Sequence, residues 1–299
     1  MTISEIQGKT EILLAAYNGE KYLPQQIDSI LDQDTDAWFL TLSDDGSSDD
    51  TSKILDFYVE NYPDKIRRVC SNTSFGNAKD HFFFLLKESV GESVMFCDQD
   101  DVWTKDKVSS SRALLKEDVP CLVCSDLSVV REDLSVIDPS MAHYQSFRPE
   151  DRSFSRLLYR NCVTGGTCLM NRKLVDRILQ IRHPENALMH DYWAALTAAY
   201  FGEIVYLDVP TVLYRQHAAN SLGAQKGGLS FVTKKLRGNA FKESVRLKKR
   251  QIREFIETYG IDDPDLKAFA KEKSGTAYYL SRRKDFSSSL IFLAFLMFG

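Results

Sequence analysis

An acidic cluster directly after an apolar run carries the clearest chemical signal in this sequence. The run from Ser93 to Cys97 predicts a buried strand, and Asp98, Gln99 and Asp100 follow it at once. Carboxylate oxygens at this spacing suit a hard divalent cation such as Mn²⁺ or Mg²⁺, which can be shared with substrate phosphates. A solvated acidic loop is the simpler alternative, because Asp-x-Asp alone is a weak signal.

A second acidic cluster, Asp44 and Asp45, follows the strand predicted at Trp38–Ser43. An aspartate at such a place can accept a hydrogen bond from a ribose hydroxyl or a pyrimidine N3–H. The next residue, Gly46, lets the chain turn closely past a base. The start of a capped helix is the alternative interpretation, and the two roles are compatible.

Two residues farther along the chain offer a proton acceptor and an imidazole ligand. Asp191 lies at a predicted helix start, where the helix dipole favours a carboxylate, so it is either a general base or a plain N-cap. His217 follows the strand predicted at Val212–Tyr214 and is either a metal ligand or an ordinary loop histidine. Arg215 fits a diphosphate contact and a surface salt bridge equally well.

Strand and helix signals alternate through the first two-thirds of the chain, which predicts an α/β fold with a doubly wound, mostly parallel sheet. Ligands of such sheets bind at the carboxyl ends of the strands, where the acidic clusters fall. The remaining strands are predicted at Thr10–Ala16, Arg67–Cys70, Cys121–Val130, Thr167–Met170 and Ile204–Leu207.

Composition excludes several classes of protein. With 299 residues, 43% hydrophobic residues and a formal net charge of −4, the chain is neither a disordered protein nor a nucleic-acid binder. Met1 to Lys9 contains no apolar signal segment, so we expect a cytoplasmic protein with reduced thiols. Cys121 and Cys124 have C-x-x-C spacing, but they lie inside an apolar run without a second ligand pair, which argues against zinc.

The C-terminal part has a different character. From Lys226 to Arg253 there are ten basic residues and one acidic residue, and apolar residues recur at positions 241, 245, 252 and 256. This pattern predicts a basic amphipathic helix that lies on an anionic membrane surface or packs on the preceding domain. The apolar run Leu290–Phe298 has nine residues, and about 20 are needed to span a bilayer.

Six motifs, in order along residues 10–220, resemble family 2 glycosyltransferases of the GT-A fold. Within that family the sequence is most similar to bacterial rhamnosyltransferases of cell-wall and capsular polysaccharide synthesis. The motifs are Ala15–Gly19, Ser43–Thr51, Asp98–Trp103, Asn161–Thr167, His190–Trp193 and Tyr214–His217. Ala218 and Ala219 depart from the family pattern, which has glycine after the histidine, and this leaves the shape of the following loop open.

The resemblance implies a role for each matching residue. Asp100, His217 and Asp98 would bind the metal, Asp191 would be the general base, and inversion would occur in one in-line displacement. Contacts with the nucleotide sugar are predicted for Ala15, Tyr17, Asn18, Asp44, Asp45, Asp98 and Arg215. Residues predicted near the acceptor or diphosphate are Trp103, Thr164, Gly165, Gly166 and His190, although Thr164 to Gly166 also fit a simple turn.

The expected function is metal-dependent transfer of L-rhamnose from dTDP-rhamnose to a lipid-linked or growing surface polysaccharide. The alternatives are a UDP-hexose transferase of the same fold, a nucleotidyltransferase, which would need a Gly-rich phosphate loop, and a non-catalytic glycan- or membrane-binding protein. The expected domains are a catalytic domain at 1–222, with the nucleotide sugar at about 1–103 and the acceptor at about 104–222, and a basic helical extension at 223–299. We expect peripheral attachment to the inner face of the cytoplasmic membrane, and the pattern indicates no oligomeric state.

Overall fold

A computed structural model describes residues 6–146, 151–180, 182–217 and 239–271 of the chain. The strands are Thr10–Ala16 (β1), Trp38–Asp44 (β2), Ile66–Arg68 (β3), Ser93–Asp98 (β4), Val102–Trp103 (β5), Cys121–Val130 (β6), Val136–Asp138 (β7), Cys168–Asn171 (β8) and Glu203–Arg215 (β9). The helices are Leu23–Leu31 (α1), Thr51–Asn61 (α2), Ala78–Lys87 (α3), Lys107–Ala113 (α4), Met141–Tyr144 (α5), Phe154–Leu157 (α6), Arg172–Leu179 (α7), His190–Phe201 (α8), Asn239–Tyr259 (α9) and Pro264–Ala270 (α10).

All of these strands belong to one sheet, in the order β3-β2-β1-β4-β8-β6-β9-β5, with β7 paired to β6. Strands β3, β2, β1 and β4 are parallel, whereas β8 is antiparallel to both of its neighbours. Alternate residues of β1 enter two different hydrophobic clusters, Leu13 in one and Ile12 and Leu14 in the other. Both faces of the sheet are therefore covered, which confirms the predicted doubly wound α/β architecture.

The register of the parallel strands brings three loops to one edge of the sheet. Ala16 pairs with Asp44 and Ala15 pairs with Asp98, so β1, β2 and β4 end side by side. The side chains that follow these strands must share the crevice at this edge.

One predicted boundary is wrong because turn residues do not break the strand. Two strands were expected at Ile204–Leu207 and Val212–Tyr214, but β9 runs through both. Its pairing with β6 shifts register on either side of Asp126, opposite the segment that contains Pro210. A bulge accommodates a proline without ending the strand.

The predicted C-terminal helix is present as α9, and its apolar side packs against α8 and the larger hydrophobic cluster. Val245, Ile252 and Ile256 are buried, and Phe255 lies 5.4 Å from Trp193 of α8 between ring centroids. The side chain of Phe241, the predicted loop at 223–228 and the run 290–298 lie outside the described residues. Of the helices that the structure describes, none has the length and apolar character needed to cross a membrane.

Candidate active site

The acidic cluster after β4 packs against the short 3₁₀ turn Gly165–Thr167, called the glycine turn below. A Cβ atom added to Gly166 would lie 3.4 Å from Oδ2 of Asp98 and 3.6 Å from Oδ2 of Asp101. Loss of hydration, followed by the nearby charges of Asp100 and Asp191, raises the pKa of Asp98 to about 7. The predicted base and two predicted metal-binding residues therefore surround one site.

Asp101 is a site residue that the sequence analysis did not single out. Its side chain is buried, and burial together with the charges of Asp100 and Asp98 raises its pKa well above the usual range. One oxygen accepts a 3.0 Å hydrogen bond from the backbone N–H of Arg215. Several carboxylates crowded together in this way favour a cation between or beside them.

Asp100 and His217 are adjacent, as the metal-site prediction requires. Oδ2 of Asp100 lies 2.8 Å from Nε2 of His217, and both side chains are largely buried. The ring of Tyr22 packs on the histidine, with centroids 4.7 Å apart. An oxygen and a nitrogen donor at this separation fit Mn²⁺ or Mg²⁺, which would complete its shell with phosphate oxygens and water.

A metal site with three protein ligands is not seen among the described residues. The described residues contain no group of three His, Cys, Asp or Glu side chains arranged to hold one metal ion. Asp98 as a further ligand therefore stays a prediction, and the observed candidate pair is Asp100 with His217.

Arg215 braces the acidic loop within the protein. Its Nε donates to the carbonyl of Asp100 at 2.8 Å, a second nitrogen donates to Oε1 of Gln25 at 2.6 Å, and a third donates to the carbonyl of Glu132. The guanidinium also lies 4.8 Å from the centroid of the Tyr22 ring. These contacts position the loop, and direct contact of Arg215 with the nucleotide stays a prediction.

The loop that follows β1, which is predicted to contact the nucleotide sugar, is held by Gln99. Its side-chain amide accepts from the N–H of Tyr17 at 2.8 Å and donates to the carbonyl of the same residue at 2.9 Å. A side chain at Gly19 would collide with this amide, since an added Cβ would lie 2.1 Å from Oε1 of Gln99. The aromatic ring of Tyr17 is 56% exposed, which leaves it available for a base or sugar.

The loop that follows β2, also predicted to contact the nucleotide sugar, is ordered by its own carboxylates. Asp45 accepts hydrogen bonds from the backbone N–H groups of Phe75 and Gly76, and Asp44 accepts from the N–H and hydroxyl of Ser47. The N–H of Asn18, in the loop that follows β1, donates to the hydroxyl of Ser47 at 2.8 Å. These bonds shape the crevice beside Ala15, and contact of the two aspartates with a nucleoside remains untested.

Asp191 is a buried carboxylate in the first turn of α8. The N-cap position is Met189, so Asp191 is not the N-cap. Its Oδ2 accepts from the N–H of Gly165 at 2.9 Å, and its Oδ1 accepts from Nδ2 of Asn161 at 3.3 Å. Burial raises the pKa of Asp191 to about 6, whereas its hydrogen bonds act in the opposite direction. A carboxylate in this state is ionised near neutral pH and is a better proton acceptor than a solvated one.

The other residues predicted near the acceptor make packing contacts or turn hydrogen bonds within the protein. His190 is buried between the rings of Phe82 and Phe96, at centroid distances of 4.1 and 4.6 Å, and burial lowers its pKa to about 3. Trp103 is buried beneath the ammonium group of Lys107. The carbonyl of Thr164 closes the glycine turn by accepting from the N–H of Thr167 at 2.9 Å.

Asn161, Gln99 and Asp101 are thus residues of the site that sequence reasoning left without a role. Each lies inside one of the six motifs, and Gln99 and Asp101 are next to predicted site residues. The sequence signals for them were a third aspartate directly after Asp-x-Asp, at Asp101, and an amide shortly before the glycine turn, at Asn161. Neither signal identifies the hydrogen-bond partner, because the partners of Asn161 and Asp101 lie 30 and 114 residues away.

Comparison with known proteins finds relatives that are named as sugar transferases. The chain is 29% identical over 220 residues to dTDP-rhamnosyl transferase RfbG of Shigella flexneri, which covers 71% of this chain and 74% of that protein. It is 25% identical over 166 residues to the Escherichia coli UDP-Glc:alpha-D-GlcNAc-diphosphoundecaprenol beta-1,3-glucosyltransferase WfgD, over 55% of this chain and 61% of that one. The fold resembles Staphylococcus aureus TarS 1-349 in complex with UDP-GlcNAc, with a TM-score of 0.58 and 19% identity over 94% of this chain and 76% of that one.

The model of the family described as "Glycosyl transferase family 2" matches residues 11–179, which is more than half of the chain. The match includes the loops after β1 and β2, the acidic cluster after β4 and the turn at Gly165–Thr167, whose first N–H donates to Asp191. This chain therefore belongs to glycosyl transferase family 2.

Proposed function

We propose that the protein is a divalent-metal-dependent, inverting glycosyltransferase that moves L-rhamnose from dTDP-rhamnose to a lipid-linked or growing bacterial surface polysaccharide. The observation that carries the proposal is the turn at Gly165 and Gly166, which lies between the Asp191 carboxylate and the acidic cluster after β4. Gly165 donates to Asp191, and a Cβ atom on the next residue, Gly166, would be in van der Waals contact with Asp98 and Asp101. A proton acceptor and a cation-binding cluster thus lie on either side of one turn.

In the proposed reaction the metal pair and the buried carboxylate have separate roles. A cation bound by Asp100 and His217 would neutralise the charge that develops on a departing nucleoside diphosphate. Asp191 accepts the proton of the attacking acceptor hydroxyl at its carboxylate, which Gly165 and Asn161 hold in orientation. Burial keeps this carboxylate away from water and therefore more basic than a solvated aspartate.

The donor is assigned from RfbG because its identity and coverage exceed those of WfgD. RfbG is a dTDP-rhamnosyl transferase and is similar over most of both chains. The rival is a UDP-hexose donor, since WfgD is named as a UDP-Glc enzyme and the TarS structure contains UDP-GlcNAc. The name of WfgD also specifies a diphosphoundecaprenol acceptor, which supports a lipid-linked acceptor here.

A panel of nucleotide sugars tests this proposal. The purified full-length chain is incubated with dTDP-rhamnose, UDP-glucose, UDP-GlcNAc or GDP-mannose, with MnCl₂ or with EDTA, and release of the nucleoside diphosphate is measured. We expect Mn²⁺-dependent release that is fastest from dTDP-rhamnose. Faster release from a UDP-sugar would select the rival donor, and calorimetry that finds no metal-dependent nucleotide binding would favour a non-catalytic protein.

Turnover should rise with pH through a midpoint of about 6. Asp191 acts as a base only when it is ionised, and its raised pKa moves this requirement up from the ordinary value of 3.8. Below the midpoint the rate should fall about tenfold per pH unit. The maximal rate at saturating donor and Mn²⁺ is measured from pH 4.5 to 8.5, and an acidic limb centred near 4 would contradict a buried base.

We also propose that the protein attaches peripherally to the inner face of the cytoplasmic membrane through charge. The apolar side of α9 is used in the core, so the contact would depend on basic residues such as Arg246, whose side chain is 53% exposed. Sedimentation with phosphatidylglycerol vesicles should decrease in high salt and in the double variant Arg246→Glu, Lys248→Glu. Phosphatidylcholine vesicles are the control, and equal sedimentation of variant and wild type would contradict the proposal.

A further inference from the structure

The segment that leads into the base-bearing helix is held by the C-terminal helix α9. The two carboxylate oxygens of Glu254 accept from the backbone N–H groups of Glu185 and Asn186, at 2.9 and 2.6 Å. Oε1 of Gln251 accepts from the N–H of Leu188 at 2.7 Å. The last of these bonds is three residues before Asp191. The loop is thus tied to α9 up to the point where α8 begins.

The same helix also packs along α8 itself. Phe255 lies 5.4 Å from Trp193 between ring centroids, and Tyr259 lies 4.9 Å from Phe201. The hydroxyls of Tyr259 and Thr197 are 3.2 Å apart. Contacts at both ends of α8 leave it little freedom to slide or rotate against α9, because packed interiors resist such shifts.

The hydrogen bonds of Gln251 and Glu254 fix the position of the segment before α8. Gln251 is fully buried, and Glu254 makes two charge-assisted bonds to adjacent amides, which fixes direction as well as distance. On its other side the loop is held by Lys79, which donates to the carbonyl of Glu185 at 3.1 Å. Close to the start of α8, Gln251 of α9 accepts from the backbone N–H of Leu188, whereas Gly165 and Asn161 donate to the Asp191 side chain itself.

We propose that Gln251 and Glu254 are positioning residues for Asp191. This inference rests on the proposed function, in which Asp191 is the general base. A displacement of a base by about 1 Å can cost on the order of a hundredfold in rate, although the substrate still binds. The helix that the sequence marks as a basic extension therefore belongs to the catalytic apparatus.

The test uses the full-length chain and three variants, Glu254→Ala, Glu254→Gln and the control Glu257→Ala. Glu257 is on the same helix and lines a surface cleft together with Glu254 and Glu185, but no hydrogen bond joins its side chain to the 182–189 segment within the described contacts. Hydrolysis of dTDP-rhamnose with Mn²⁺, or of UDP-glucose if that is the better donor, gives kcat and KM. Calorimetry with the matching nucleoside diphosphate counts binding sites.

We expect Glu254→Ala to lower kcat about tenfold with KM unchanged within about twofold and one nucleotide site per chain. Glu254→Gln keeps one acceptor oxygen and should fall between that variant and the wild type. The control should equal the wild type. A purely structural role would reduce the number of nucleotide sites and would overturn the proposal, as would a wild-type kcat in Glu254→Ala.

A double variant separates this inference from the proposed function. If Glu254 acts through Asp191, adding Glu254→Ala to Asp191→Asn should cause no further loss of rate. A full further loss would overturn the positioning role while leaving the base assignment intact. Wild-type turnover in Asp191→Asn would overturn the base assignment itself, and the inference with it.

Discussion

Asp191→Asn should lower turnover about a thousandfold or more while leaving nucleotide binding intact. The amide is nearly isosteric with the carboxylate and can still accept from Gly165 through its oxygen, so α8 keeps its position. It cannot take a proton from an acceptor hydroxyl. Hydrolysis or transfer rates and calorimetric titration with dTDP or UDP in the presence of Mn²⁺ measure the two effects separately.

Asp265→Asn is the matched control for this variant. Asp265 also lies in the first turn of a helix, α10, so it experiences the same dipole but is not part of the site. We expect wild-type turnover in the control. Near wild-type turnover in Asp191→Asn itself would mean that another group accepts the proton.

Asp100→Ala should remove most of the contribution of Mn²⁺ to nucleotide binding. The substitution removes one donor of the candidate pair and also the partner that orients the imidazole of His217. We expect the Mn²⁺-dependent gain in affinity for the nucleoside diphosphate to fall by about a hundredfold. The measurement is a calorimetric titration with and without the metal.

The comparison with EDTA serves as an internal control for this variant. Without metal, the variant and the wild type should bind the nucleotide equally, because the loops around Tyr17 and Asp45 do not depend on Asp100. His217→Ala should reproduce the loss in Mn²⁺, whereas Asp64→Ala, at an exposed position, should not. Unchanged Mn²⁺ dependence in Asp100→Ala would place the metal elsewhere.

Much of the fold could be predicted from local pattern. Apolar runs such as 93–97 and 121–124, followed by turn residues, identified the main strands within one or two residues. The alternation of strands with helices then implied the parallel half of the sheet, which the pairing of β1 with β2 and β4 confirms. These features depend on residues near one another in the chain, so their signal is present in the sequence.

The contacts of Arg215 and the continuity of β9 could not be predicted because the residues with which they pair are remote in the chain. The sequence gives no sign that the guanidinium of Arg215 binds the carbonyls of Asp100 and Glu132 and the side chain of Gln25, and its contact with the diphosphate stays a prediction. The single strand β9 likewise depends on pairing with β6, which overrides the turn signal at Pro210.

The sequence by itself determined the family, the order of the motifs and the residue types available for catalysis, since these are properties of short segments. Tertiary structure alone decided that α9 packs on α8 and that Gln251 and Glu254 hold the loop before Asp191. The reason is physical: an amphipathic helix carries the same pattern whether its apolar side meets lipid or protein. The aromatic side chains that α8 presents to α9 determine that the apolar side of α9 packs on protein.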